Sequence, residues 1–330
     1  MMKRVALCFL LTSVPASSLA LAAPASLTAE AVNEAQFSGR RKGDIDPVIL
    51  KAQVLLDRQR FSPGVIDGRD GDNLRKAIAA FEAAQGLSAD GKLDEESWAK
   101  LTAADGEPVL ATYEIVRDDV DGPFVKSIPK SYAAKSRLAR LAYTGPQELL
   151  AEKFHIDLQL LKALNPGARF DRAGTEIVVP SVAARDKDER RKEKAASIEV
   201  DTAAGLVRVT GKDGKILATY PASVGSEEKP PPSGTFAVRA IAENPVYTYD
   251  PAFRFKGVDA KEKLRLPPGP NNPVGTMWID LTAETFGIHG TAEPERVGKT
   301  ASHGCVRLTN WDVRELARMA EKGTPVVFRE

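Results

Sequence analysis

The stretch "FGIHGTAEPERVGKTASHGCVRL", residues 286–308, decides how the rest of the chain is read. It holds Cys305 and two of the three histidines, His289 and His303, and a glycine follows each histidine. "FGIHG" has the apolar character of a short strand. If the second half is also extended, His303, Cys305 and Arg307 share one face, because strand side chains alternate with a period of two.

The flanking sequence continues in the same texture. "SIEVDTAAGLVRVTGKDGKILATYPASVG" alternates apolar and polar residues between glycine-containing turns, and "GTFAVRAIA", "TMWIDL" and "TPVVFRE" add further strands. One convincing helix interrupts them, "TNWDVRELARMAEK". Thr309 and Asp312 form a start of the capping-box kind, and Gly323 with Pro325 marks the stop. Residues 197–330 are therefore expected to form a mostly antiparallel β-domain with one main helix packed against it.

Upstream the pattern is helical. "DPVILKAQVLLDRQR" offers Asp46 as N-cap and Pro47 at the first helical position, with Val48, Ile49, Ala52, Leu55 and Leu56 on one stripe. Two echoing phrases, "PGVIDGRDGDNLRKAIAAFEAAQ" and "GLSADGKLDEESWAKL", each set an Asp-Gly turn before an acidic helix start. Residues 46–104 thus read as a small three-helix bundle with few apolar residues to bury. Residues 23–45 read as a flexible lead-in and 105–133 as a linker. In 134–181, helices around Leu149–Phe154 and Leu158–Leu164 precede Asn165-Pro166-Gly167 and a closing strand, "TEIVVP". The charge run "ARDKDERRKEKAA" makes 182–196 a solvated connection. The fold class expected is a multidomain α+β chain.

The N-terminus places Lys3 and Arg4 before an apolar run and then Ala20-Leu21-Ala22, the order of a secretory signal peptide over residues 1–22. The run is too short for a permanent membrane span, and no later stretch approaches that length. Cys8 lies inside the run rather than at the cleavage point, which argues against a lipid-modified N-terminus. The chain is thus expected to be exported to a periplasm or cell envelope and not to be transmembrane. With 330 residues and a formal net charge of +1, it carries two or three domains and no charge signal for nucleic acid.

Removing the leader leaves Cys305 as the one cysteine. Exported proteins use cysteines mainly in pairs, so a single one signals a reactive thiol or an intermolecular bridge. A free thiol is only a few per cent ionised at neutral pH, and a neighbouring imidazole can take its proton and return it to a leaving amine. His289 and His303 compete for that role, and the residues alone lean only mildly to His289. Arg307 favours a thiolate or a substrate carboxylate, and the Gly304 and Cys305 N–H groups are candidates for an oxyanion hole. Zinc would want a second cysteine or paired ligand spacing, and no nucleophile-elbow serine motif is present, so no metal is expected. His155 is given no catalytic role.

Three resemblances sharpen this. "GVIDG", "AIAAFEAAQGL" and "DGKLDEESWAKL" resemble the type 1 peptidoglycan-binding domain. The order helix, helix, "NP" and final "IVVP" strand resembles a LysM domain. "HGT" followed by "SHGCVRL", with "PPPSGTF" and "PPGPNNPVGTMWIDL" before them, resembles the YkuD-like L,D-transpeptidase catalytic domain over about 197–329. That last resemblance implies Cys305 as nucleophile, His289 as proton acceptor and donor, and the Gly290 carbonyl as the group that orients its imidazole. Ser302, His303, Gly304 and Arg307 fall on supporting positions, and Tyr247 and Tyr249 on a substrate groove. It implies no cofactor. The expected partners are peptidoglycan peptide stems and, as acyl acceptor, another stem or a cell-wall-attached protein. Hydrolysis or carboxypeptidase action at the same thiol, a binding-only protein and a Cys305-linked dimer are the competing readings.

Overall fold

A computed structural model describes residues 27–39, 43–104, 106–182, 193–225, 229–253, 258, 260–300, 302 and 304–330. The leader read at 1–22, the place of His303 and most of the charge run lie outside these described residues.

Helix α1 (Ala29–Asn33) is capped by Thr28, and its Val32 is fully buried. Helix α2 (Pro47–Arg58) starts on Asp46, whose carboxylate accepts from the Val48 and Ile49 N–H groups. A cap of this kind contributes about 1 kcal/mol. Helices α3 (Asp72–Ala84) and α4 (Glu95–Ala103) follow. Asp94 and Ser97 cap α4 reciprocally, through the Ser97 N–H and the Asp94 N–H.

The lead-in and the linker both need correction. Asn33 on α1 exchanges two hydrogen bonds with Leu110, donating to its carbonyl at 3.0 Å and accepting from its N–H at 2.8 Å. Leu110 opens strand β1 (Leu110–Glu114), which pairs antiparallel with β2 (Glu176–Pro180), Leu110 facing Pro180. Helices α5 (Arg117–Asp121), α6 (Tyr132–Lys135), α7 (Pro146–Lys153) and α8 (Leu158–Leu164) lie between these strands. The partner of the closing strand therefore lies at 110–114, within the residues read as a linker and not after 134. A five-residue strand whose partner is distant in sequence leaves no local signature.

Nor are the N-terminal units separate cores. Leu50, Leu55, Ile66, Leu110, Leu150, Leu161 and Ile177 belong to one buried cluster. Ile66 bridges Ile156 in parallel, with its N–H on the His155 carbonyl at 2.8 Å and its own carbonyl accepting from Asp157 at 2.9 Å. Each large aliphatic side chain so buried contributes about 1.5–3 kcal/mol, and sharing one core supplies what a small bundle alone lacks.

The C-terminal half builds a nine-stranded sheet. Its members are β3 (Ser197–Asp201), β4 (Leu206–Thr210), β5 (Ile216–Pro221), β6 (Ser223–Val224), β7 (Gly234–Glu243), β10 (Met277–Leu281), β11 (Gly287–His289), β12 (Val306–Arg307) and β13 (Pro325–Arg329). The spatial order is β5-β4-β3-β13-β7-β10-β11-β12-β6. Neighbours run antiparallel except β13 beside β3 and β11 beside β12. Helix α9 (Asn310–Met319) is capped by Thr309, which accepts from the Asp312 N–H. Its Val313, Leu316 and Met319 pack on Ile279, Ile288 and Val306 of the sheet.

Two backbone joints are among the contacts that hold the halves together. Ser62 N–H donates to the Thr219 carbonyl at 2.9 Å and Thr219 N–H to that of Arg60 at 2.8 Å, so residues 60–62 lie along the open edge of β5. The second joint involves the hairpin of β8 (Tyr247–Tyr249) and β9 (Leu264–Leu266). Leu141 packs with Tyr249, Leu264 and Leu266. Its N–H donates to the Pro268 carbonyl at 3.0 Å and its carbonyl accepts from Asn271 at 2.9 Å.

Candidate active site

His289 ends β11 and Cys305 immediately precedes β12. These strands pair in parallel with Ile288 opposite Val306 and His289 opposite Arg307. The two residues thereby stand on adjoining strands, about 5 Å being the spacing between strands, with Cys305 two positions before the residue that faces His289. This pairing is what the sequence pattern alone does not specify.

The imidazole is held on both sides. Its Nδ1 lies 2.6 Å from the Gly290 carbonyl oxygen. A carbonyl only accepts, so Nδ1 carries the proton and Nε2 keeps the lone pair a general base needs. The ring stacks on Trp278 of β10, centroids 5.6 Å apart and planes 16° from parallel. Burial drives its pKa down from 6.5 to about 4, against the Gly290 hydrogen bond and with help from the Arg307 charge. The imidazole is therefore neutral at physiological pH.

The thiol is neutral as well. Burial raises the Cys305 pKa above its ordinary value, while the Gly287 N–H and the Lys229 charge pull it down. The sulfur donates to the Thr285 carbonyl at 3.7 Å. The resting site thus holds a neutral thiol and a neutral imidazole on adjoining strands.

The supporting residues act through the backbone. Ser302 Oγ donates to the Cys305 carbonyl at 2.5 Å and accepts from the Gly304 N–H at 3.3 Å, which ties the turn before the nucleophile. The Gly304 N–H is thus engaged by Ser302 in the resting structure instead of facing an open oxyanion site. Gly304 has φ +108°, and a Cβ there would meet Lys229 Cδ at 2.7 Å. Arg307 donates to Thr300 Oγ1 at 2.6 Å and Ser223 Oγ at 3.3 Å. That anchors it beside His289.

Tyr247 stands on β8, and its phenol is held above its ordinary pKa by burial first and then by Tyr132 and Cys305, which places it beside the thiol. Tyr249 is only 1% exposed, so its ring packs in the hairpin core and does not line a groove. Tyr132 of α6 meets both rings edge-on, at 6.1 and 5.5 Å between centroids. His155 lies far outside this group. It bonds the Asp57 carboxylate at 2.8 Å and stacks on Trp311 of α9 at 4.9 Å.

Trp278, Thr285, Lys229, Tyr132 and Asn310 were not legible as site residues. Asn310 carried a signal of a kind, since an Asn at the first position of a helix is polar where packing wants apolar. It is fully buried, and its Oδ1 accepts from the Thr276 and Thr291 N–H groups at 3.1 and 3.2 Å. Gly290 is needed for this contact, since a Cβ there would stand 2.2 Å from Asn310 Oδ1. Among the described residues no cluster of three or more metal-ligating side chains occurs.

Residues 195–328 match the family profile "L,D-transpeptidase catalytic domain", that of YkuD. The chain carries an L,D-transpeptidase catalytic domain. A second profile, "Putative peptidoglycan binding domain", matches residues 46–101. The "Putative L,D-transpeptidase YkuD" of Bacillus licheniformis is 29% identical over 181 residues, covering 54% of this chain and 90% of that protein. The "Putative L,D-transpeptidase YqjB" of Bacillus subtilis is 33% identical over 123 residues, 36% of this chain and 62% of that protein. L,D-transpeptidase 3 of Mycobacterium tuberculosis is 20% identical, with a TM-score of 0.34 over 41% of this chain and 60% of its own, a likeness too slight to carry an argument. The chain thus spans about three fifths of the latter two. No helix among the described residues is long and apolar enough to cross a membrane.

Proposed function

We propose that this chain is an exported peptidoglycan L,D-transpeptidase working through a Cys305 thioester. His289 takes the thiol proton at Nε2 as sulfur attacks the carbonyl before the terminal D-residue of a tetrapeptide stem. The same imidazole returns that proton to the departing D-alanine amine. An amine of another stem or of a cell-wall protein then attacks the thioester and restores the thiol. No cofactor is required by this sequence of steps. Residues 46–104 serve as a peptidoglycan-binding unit and 134–181, with the strand at 110–114, as a LysM-like one. Tethering the active site to its polymer would raise the local concentration of stems. The enzyme would work in the periplasm or cell envelope.

One observation carries the reading. A tautomerically fixed, neutral imidazole sits on the strand beside a cysteine, oriented by a backbone carbonyl at 2.6 Å. The test is mass spectrometry of disaccharide-tetrapeptides incubated with the protein and with Cys305→Ala. Cross-linked dimers lacking one D-alanine, absent from the variant, are expected. Shortened monomers alone would make the protein a carboxypeptidase, and no product from either protein would sink the proposal.

A further inference from the structure

The Gly290 carbonyl that holds His289 belongs to the same peptide group as the Thr291 N–H. That N–H donates to Asn310 Oδ1 at 3.2 Å. Through its own amide, Asn310 Nδ2 then donates to Glu152 Oε2 at 2.8 Å. The orientation of the Asn310 amide follows from its partners. Two backbone N–H groups can only donate to its oxygen, and a carboxylate can only accept from its nitrogen. Two amides in series thus connect the imidazole to a carboxylate on α7, outside the residues matched as catalytic domain.

We propose that Glu152 is a positioning residue for His289, acting through Asn310 and the Gly290–Thr291 peptide. When Nε2 takes the thiol proton, positive charge develops on the ring. The Nδ1–H bond to Gly290 O then strengthens, and each amide polarises toward the next donor. The chain ends on a negative charge that is already buried and oriented. No proton leaves His289 along this path. The carboxylate does at a distance what a directly bonded acid does in a serine-protease triad, fixing the tautomer and stabilising the imidazolium.

Glu152 is built for such a role. Its side chain is 10% exposed. Its Oε1 accepts from Tyr143 OH at 2.7 Å and from Arg314 Nη2 at 2.8 Å, leaving Oε2 to Asn310. Asn310 Nδ2 also reaches the Pro270 carbonyl at 3.3 Å, a longer contact. The arrangement makes catalytic competence depend on the docked N-terminal body, because α7 supplies the carboxylate.

The inference rests on His289 acting as the base, so its test includes readouts that need no peptidoglycan. Full-length protein, Glu152→Gln and Glu148→Gln would be compared in three measurements. These are kcat and KM on disaccharide-tetrapeptide, the rate of Cys305 alkylation by iodoacetamide at neutral pH, and the downfield proton resonance of His289 Nδ1–H. Glu152→Gln should lower kcat about tenfold with KM within about twofold, slow alkylation in parallel and move the proton resonance upfield. Glu148→Gln removes a carboxylate of the same helix that bonds Thr144 and Asn271 and not Asn310, and should stay within about twofold of the parent in all three. If Glu152→Gln does not hold the fold by near-ultraviolet circular dichroism, Glu152→Asp, which withdraws the carboxylate by one methylene, is expected to show the same split. An unchanged kcat and alkylation rate in the folded Glu152 variant, or an equal loss in Glu148→Gln, would overturn the proposal. Loss of transpeptidation in the parent itself would count against the proposed function, and the alkylation and proton measurements would still judge Glu152.

Discussion

The imidazole of His289 lies almost parallel to the indole of Trp278, 16° between planes and 5.6 Å between centroids, on adjoining inner strands of the nine-stranded sheet. That placement strips the ring of water, and burial is the largest cause of its pKa falling to about 4. The proposed role of His289 as proton acceptor needs the neutral ring. The acid limb of kcat/KM is therefore expected near pH 4 and not near the ordinary 6.5, measured from initial rates across the range. An acid limb at 6.5 would mean a solvated imidazole.

The same shift acts on stability. The folded imidazole binds its proton less readily than the unfolded one, so stability is fully present above the ordinary 6.5 and falls as pH drops toward about 4. The loss reaches at most about 3 kcal/mol. Urea denaturation at several pH values should show this slope, and His289→Gln should remove it. A variant that keeps the parent's slope would assign the acid sensitivity elsewhere.

Gly290→Ala sets a methyl 2.2 Å from Asn310 Oδ1. Asn310 is fully buried and committed to two backbone N–H groups, so it cannot simply swing away. The expected cost is about 1–3 kcal/mol of overpacking, with activity falling further than stability because His289 is displaced. Thermal melting alongside turnover checks this. A parent-like melting temperature with full activity would refute it.

Lys229 lowers the Cys305 pKa against burial and lies over the Phe286 ring at 4.9 Å. Lys229→Ala should raise the thiol pKa further. Alkylation at pH 8 should then slow by about two- to threefold and the curve of rate against pH should move to higher pH. A faster reaction would show that the side chain chiefly shields the sulfur.

Residues 60–62 cover the outer edge of β5. A chain trimmed to residues 193–330 would expose that edge and should self-associate, seen as concentration-dependent elution in size-exclusion chromatography. The full chain should elute as one species. A trimmed domain that stays monomeric at high concentration would show that the edge needs no cover.

The amino-acid sequence by itself was enough for the likeness of the C-terminal domain and for most local structure. Asp46-Pro47, Thr309 and the alternation of "SIEVD" and "LVRVT" act within a few residues, where caps, turns and strand periodicity operate. The histidine and cysteine of the matched domain stand in a short motif for the same reason. Only the tertiary structure decided which distant pieces meet. β1 pairs with β2, α1 locks onto Leu110, and Trp278, Lys229 and Asn310 gather around the thiol and the peptide that holds the imidazole from three separate parts of the chain. Long-range pairing is chosen by the burial of whole faces, a property of the assembled layers that no window of sequence contains. The neutral state of His289 and Cys305 has the same origin, because desolvation belongs to the place a side chain occupies and not to its neighbours along the chain.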